Sequence, residues 1–205
     1  MTSDSFFERI AQQYQNQLPF VIYRKPNKED VKAILQNDDA LHITNHFKES
    51  GFVFSPFDDK KDSVLLPLEY SEILSFDGAN FKILEKSQEF VIPAKAGIHN
   101  KPKEQHINLV KKAKDAIINK DFQKVVISRQ EAVILQNNNP ISIFKSLLNN
   151  YASAFVYCWY HPKVGLWLGA TPETLLKIEG RQFSIMALAG TQNYKGTRDV
   201  IWENK

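Results

Sequence analysis

Cysteine is nearly absent from this chain of 205 residues, and the single one, Cys158, excludes both an internal disulfide framework and a multi-cysteine zinc site. Set in the aromatic run FVYCWY, it reads as a buried thiol acting as a small hydrophobe rather than as a nucleophile. Long apolar runs are missing too. No stretch reaches the ~18 residues of a membrane span, and MTSDSFFERIAQQ lacks the basic start and apolar core of a secretory signal. The chain is therefore expected in the cytoplasm, with no membrane partner. Charge of one sign is also scarce: 26 Lys and Arg against 23 Asp and Glu leave a formal +3. The lysines are scattered rather than gathered into a stripe, so nucleic acid is not an expected partner, whereas a small anionic substrate fits. Repeats and low-complexity tracts are absent. What the chain does have is 43% apolar residues, enough for a packed core in one large domain or two small ones.

Ser3 or Asp4 can cap a helix carrying Phe6, Phe7 and Ile10 on one face, with Tyr14 continuing it, and the helix should end before Leu18 and Pro19. PFVIYRKP reads as a strand. Asn27 or Asp30 can start a second helix through Val31 and Leu35. LHITNHF and GFVFSPF read as strands separated by Glu49, Ser50 and Gly51, and SVLLPLEYSEIL as an extended segment whose Pro67 argues for an edge or a bulge. Phe76 to Gln105 reads as a long connection. From His106, Ile107, Val110, Ala113 and Ile117 mark an amphipathic helix ending near Asn119. KVVISRQEAVIL is β-rich, Asn137 to Pro140 is a turn, and ISIFKSLLNNY is a helix with Ile141, Phe144, Leu147 and Leu148 inward. AFVYCWYHP, VGLWLGA, TLLKIEG and RQFSIMALAG follow as strands, joined by turns at Pro162 to Gly165 and at Glu179 to Gly180. Connections this short favour antiparallel pairing, because parallel strands need a crossover of about a dozen residues. The expected class is α+β, with helices packed on antiparallel sheets.

Lys124 opens the run Lys-Val-Val-Ile, which reads as a buried strand. A lysine there can simply snorkel to water, or can be a desolvated amine whose pKa falls towards neutrality, a general base. Glu173, in GATPETLL, has two readings as well. Thr171 and Pro172 can start a helical turn whose dipole the carboxylate complements. Alternatively, a strand entered through Thr-Pro-Glu aims the acid from a sheet edge into a cavity, where dryness would raise its pKa and let it donate a proton. ALAGT, 187–191, is either a sheet edge turning at Gly190 or a place where backbone amides and the Thr191 hydroxyl meet a carboxylate. His42 and His46 have the i, i+4 spacing of helical metal ligands but lie in a strand-and-turn segment. His161 reads as a turn residue.

Taken in order, QKVVISR, GLWLGATPETLL and SIMALAGTQ resemble the chorismate-utilising enzymes: isochorismate synthase, salicylate synthase, anthranilate synthase component one and aminodeoxychorismate synthase. The likeness is dense from about Glu104 to Trp202, and GFVFSPF looks like the family's N-terminal part. The resemblance implies the fold of anthranilate synthase component one, with residues 1–103 its N-terminal portion and 104–205 the first part of the chorismate-binding region. It also implies roles. Lysine at the Lys124 position is typical of the water-adding branch, isochorismate and salicylate synthases, where the amine-adding branch carries glutamine. Lys124 would deprotonate the water that attacks C2 of chorismate, Glu173 would protonate the departing C4 hydroxyl, and Gly190 and Thr191 match the AGT motif lining the substrate site.

The resemblance further implies Mg²⁺ bridging the substrate carboxylate to glutamates, and here the chain departs from the pattern. Those glutamates, the carboxylate-binding arginine and the Gly-rich substrate loop would follow Lys205. The expectation is thus the N-terminal portion of a Mg²⁺-dependent isochorismate synthase, serving menaquinone or siderophore synthesis, with the 205 residues inactive alone and the full-length protein a monomer or weak dimer. The alternatives are a salicylate synthase and a non-catalytic truncated remnant that binds a partner or small acid.

Overall fold

The computed structural model describes residues 1–46, 48–58, 60–78, 101–128 and 139–186. The chain divides into two units, one of Met1–Ile83 with Pro140–Lys205 and one of Leu84–Asn139.

The first unit opens with α1 (Ser3–Gln15), capped by Thr2, whose hydroxyl accepts from the Ser5 amide at 3.3 Å; the cap sits one residue ahead of the expected Ser3 or Asp4. The helix closes where Gln17 takes a left-handed φ of 55° and the amides of Gln17 and Leu18 turn back to the carbonyls of Tyr14 and Gln13. Phe6, Phe7 and Ile10 face inward. β1 (Phe20–Arg24) and β2 (Asp30–Gln36) form the middle of a five-stranded antiparallel sheet that also contains β6 (Ser71–Asp77), β7 (Phe155–His161) and β8 (Gly165–Thr171), in the order β6-β2-β1-β7-β8. A second sheet orders β3 (His42–Thr44), β5 (Ser63–Pro67) and β4 (Gly51–Phe54), and a two-stranded hairpin pairs β9 (Lys177–Glu179) with β10 (Gln182–Ser184).

Strand alternation sends each side chain to one of two cores. Phe20 and Ile22 of β1, Val31, Ala33 and Leu35 of β2, and Val156, Cys158 and Tyr160 of β7 pack beneath α1 and α3 (Pro140–Asn150), which contributes Ile141, Phe144 and Leu148. Val21, Ile34 and Trp159 point the other way, against Val64 and Leu66 of the three-stranded sheet. Arg24 closes the end of α3 by donating to the carbonyls of Leu148 and Tyr151. Buried Gln13 donates to the Pro19 and Gln36 carbonyls, so its polarity costs little inside the core.

The α+β reading, antiparallel sheets with a few helices, holds. The local expectations fare less evenly. The segment from Asp30 to Gln36 is a strand, not a helix: Val31, Ala33 and Leu35 fill one core while Ile34 fills the other, and Asn27 at φ 55° sits in the turn from β1 instead of starting a helix. Central-sheet packing overrides the local capping signal. β5 is the middle strand of its sheet, but β3 pairs it only as far as Leu65, so Pro67 ends the strand beside a locally open edge, where its lost N–H does least harm. In the second unit, α2 (Lys101–Ile118) starts at Lys101, inside the stretch to Gln105 expected to be a connection, and ends as expected, with Lys120 at φ 66° and the Asp121 amide returning to the Ala116 carbonyl. Residues 122–128 after it form no strand.

Candidate functional site

Glu173 lies in the first unit, just past the edge strand β8. That strand leans closely on its neighbour: a Cβ added at Gly169 would stand 2.7 Å from the Tyr157 ring, so the glycine of GATPE is a packing requirement. Beyond it, Thr171 ends the strand and its hydroxyl accepts from the Glu173 amide at 3.3 Å. This local turn replaces the helical start that Thr171 and Pro172 allowed; residues 172–176 have no regular structure. The chain therefore reaches Glu173 by leaving a sheet edge, and the side chain is exposed.

Past Glu173 come β9 and β10, three residues each and shorter than the strands expected for TLLKIEG and RQFSIMALAG. Gly180 turns the hairpin at φ 59°, a conformation that side-chain-bearing residues adopt at a cost. The hairpin borders a hollow of about 430 Å³ lined by Lys177, Glu179, Arg181, Gln182, Phe183 and Ser184. Lys177 pairs with Glu179 at 2.8 Å, and that hydrogen bond and charge hold the Glu179 carboxyl below its usual pKa. These are exposed side chains on a short hairpin, and their geometry is not preorganised.

Lys124 belongs to the second unit, where it is exposed. The buried strand expected around it is absent: Val126 is 86% exposed and Val125 is exposed too. A β-branched run becomes a strand only with a neighbour to pair with, and among the described residues none pairs with this one. Gly190 and Thr191 lie outside the described residues. Lys124 and Glu173 thus stand in separate units.

His42 belongs to β3 with its ring stacked on Tyr70 at 5.6 Å, and His46 follows the strand, so the pair has no helix to align it. Among the described residues no group of three or more His, Cys, Asp or Glu is placed to hold a metal ion. They do not by themselves fit a Mg²⁺ site, which needs several convergent oxygens. Cys158 is free and buried, its thiol pushed up to about 12 by burial, as a small core hydrophobe should be. His161, expected in a turn, is the last residue of β7 and fully buried. The signal for this was present in the alternation of FVYCWYH, which puts His161 on the same face as Trp159.

The model for chorismate binding enzymes matches residues 70–200, more than half of the chain. The chain belongs to that family. The matched span begins in the 3-10 turn before β6 and takes in Lys124, Glu173, Gly190 and Thr191. This chorismate-binding family member is also similar to anthranilate synthase component 1 of Thermococcus kodakarensis, at 32% identity over 108 residues. That match takes in 53% of this chain but only 23% of the relative, so the chain spans about a quarter of the length of the curated protein it matches. No solved structure gave a match. No helix among the described residues is long and apolar enough to cross a membrane.

Proposed function

We propose that this chain belongs to an isochorismate synthase, a cytoplasmic enzyme that adds water to C2 of chorismate and expels the C4 hydroxyl as water. The observation that carries the reading is Lys124: by the resemblance of QKVVISR, lysine occupies a position where amine-adding relatives carry glutamine. A neutral Lys124 amine takes a proton from the attacking water; a protonated Glu173 gives one to the leaving hydroxyl, and the ring double bonds shift between the two carbons. One water enters and one leaves, so the reaction is an isomerisation. Gly190 and Thr191 line the substrate in this reading. Mg²⁺ would supply positive charge opposite the substrate carboxylate.

The similarity to an anthranilate synthase component 1 favours a second reading, addition of ammonia in place of water. Product analysis separates them. The protein, extended by any in-frame sequence that follows Lys205 in its gene, is incubated with chorismate and Mg²⁺, with and without ammonia. Isochorismate alone supports the proposal; anthranilate formed with ammonia establishes the second reading, and salicylate with pyruvate makes the protein a salicylate synthase.

A further inference from the structure

His161 is fully buried at the end of β7, its ring stacked on Trp159 at 6.3 Å between centroids. Both ring nitrogens are used. The Lys163 amide donates to Nδ1 at 3.1 Å, so Nδ1 must carry a lone pair and the ring proton must sit on Nε2. Nε2 then donates to the Ala40 carbonyl at 3.3 Å, the same oxygen that buried Gln36 reaches with its Nε2 at 2.7 Å. One neutral tautomer of one ring therefore joins the turn after β7 to the 38–40 connection between β2 and β3. The first is a hairpin turn of the five-stranded sheet and the second is the crossing from that sheet to the three-stranded one, more than 120 residues apart in sequence.

The arrangement accommodates no second proton. A proton on Nδ1 would set one N–H against another at 3.1 Å and leave a cation in a buried place. The ionisable groups around the ring do not supply a dedicated counter-charge. On the turn, Lys163 is itself a cation. On the facing connection, the Asp38 carboxylate is occupied by the Gln36 amide at 2.9 Å and the Ala40 amide at 3.1 Å, and Asp39 pairs with Lys163 at 3.6 Å. On β3, His42 adds positive charge whenever it is protonated. Burial holds the ring's pKa below 6.5, with Lys163 and His42 acting in the same direction against the Ala40 hydrogen bond and Asp39.

We propose that His161 is an acid-released latch of the β7–β8 turn, anchored through Nε2 to the 38–40 connection and holding the Lys163 amide through Nδ1. Protonation at Nδ1 expels the Lys163 amide and loosens the turn at 162–163, while Nε2–H keeps its bond to the Ala40 carbonyl. The exposed bond from Lys163 Nζ to the Asp39 carbonyl, 2.7 Å, survives the proton, so the turn remains tethered and the movement is local. The inference does not depend on the enzymatic reading.

Hydrogen exchange of the 205-residue chain between pH 7.5 and 5 tests the latch, with rates corrected for intrinsic pH dependence. The Lys163 amide should lose protection by roughly tenfold for each pH unit below the ring's titration, while the Val21 and Trp159 amides keep theirs. In His161→Asn, whose side-chain oxygen can take the place of Nδ1 without titrating, Lys163 protection should not change with pH. Equal protection of Lys163 at pH 7.5 and 5 overturns the proposal, as does an equal loss in the variant. Should His161→Asn not fold, the wild-type ring can be titrated by NMR: its midpoint must coincide with the loss of Lys163 protection, and a separation between the two sinks the latch.

Discussion

The two-sheet frame of the first unit and the arm that follows β8 obey different rules. In the frame, Phe6, Phe20, Ile22, Leu35 and Trp159 are wholly buried, each fixed by strand or helix periodicity. In the arm, Glu173, Leu175, Ile178 and Phe183 are all exposed, and the paired strands are only three residues long. Lys124, in the other unit, is exposed as well. Glu173 and Lys124, the proposed acid and base, are thus both exposed while the frame's side chains are packed. Stability and activity should therefore respond to different substitutions.

The largest effect tests the frame. Trp159 fills the core between the two sheets and stacks on Phe54 at 4.4 Å, so Trp159→Ala should cost about 3–5 kcal/mol in urea unfolding. Trp159→Phe should cost far less, because it keeps an aromatic ring there and removes an indole N–H that has no hydrogen-bond partner. If the alanine variant lost under ~1 kcal/mol, the frame would not be the seat of stability. The complementary test lies outside the frame. In the extended protein, Lys124→Gln and Glu173→Gln should each lower isochorismate formation by about a hundredfold or more, the scale of one general acid or base. Both side chains being exposed, their unfolding free energies should stay within ~0.5 kcal/mol of the parent's. Normal water addition by Lys124→Gln would remove the base assignment, and a matching loss of stability would merge the two regions.

A smaller effect appears with pH. The His161 pKa is lowered from 6.5 in the folded chain, so the unfolded chain binds that proton first. Its contribution to stability is then complete above pH 6.5 and is lost as pH falls through that value towards the folded pKa. The urea midpoint of the parent should drop more steeply below pH 6.5 than that of His161→Asn. Parallel curves would mean that the histidine is no more protected than in the unfolded chain.

The frame was largely legible in the sequence and the arm was not, for a physical reason. Phe6, Phe7 and Ile10, the helix from Pro140, and the alternation of β7 announce themselves because packing against a core imposes a period. Asp30 to Gln36 misled because a local cap signal and a central strand can occupy the same residues, and only the neighbours β1 and β6 decide. The run at Lys124 misled in the opposite sense: β-branched composition advertises a strand that, among the described residues, has no pairing partner. Glu173 was readable as a motif residue while its conformation was not, since Thr171 and Pro172 serve a helix start and a strand exit equally well. The buried place of His161 could have been read from the same alternation that located Trp159.

The smallest expected effect concerns how α1 is held to the frame. Arg9 donates to Glu72 of β6 through Nε at 3.2 Å and a terminal nitrogen at 2.8 Å, and its other terminal nitrogen reaches Gln13 at 3.1 Å. Both partners are partly exposed, so the charges are screened and side-chain entropy offsets much of the attraction. Arg9→Ala should cost about 0.5 kcal/mol, and a double-mutant cycle with Glu72→Ala should show a coupling of that size that shrinks in 1 M salt. Phe6, by contrast, meets Phe76 of β6 at 4.9 Å beneath the same helix, and its removal should cost several times more. A coupling above ~2 kcal/mol would instead make the ion pair the anchor of α1, and the frame would owe part of its stability to charge as well as to packing.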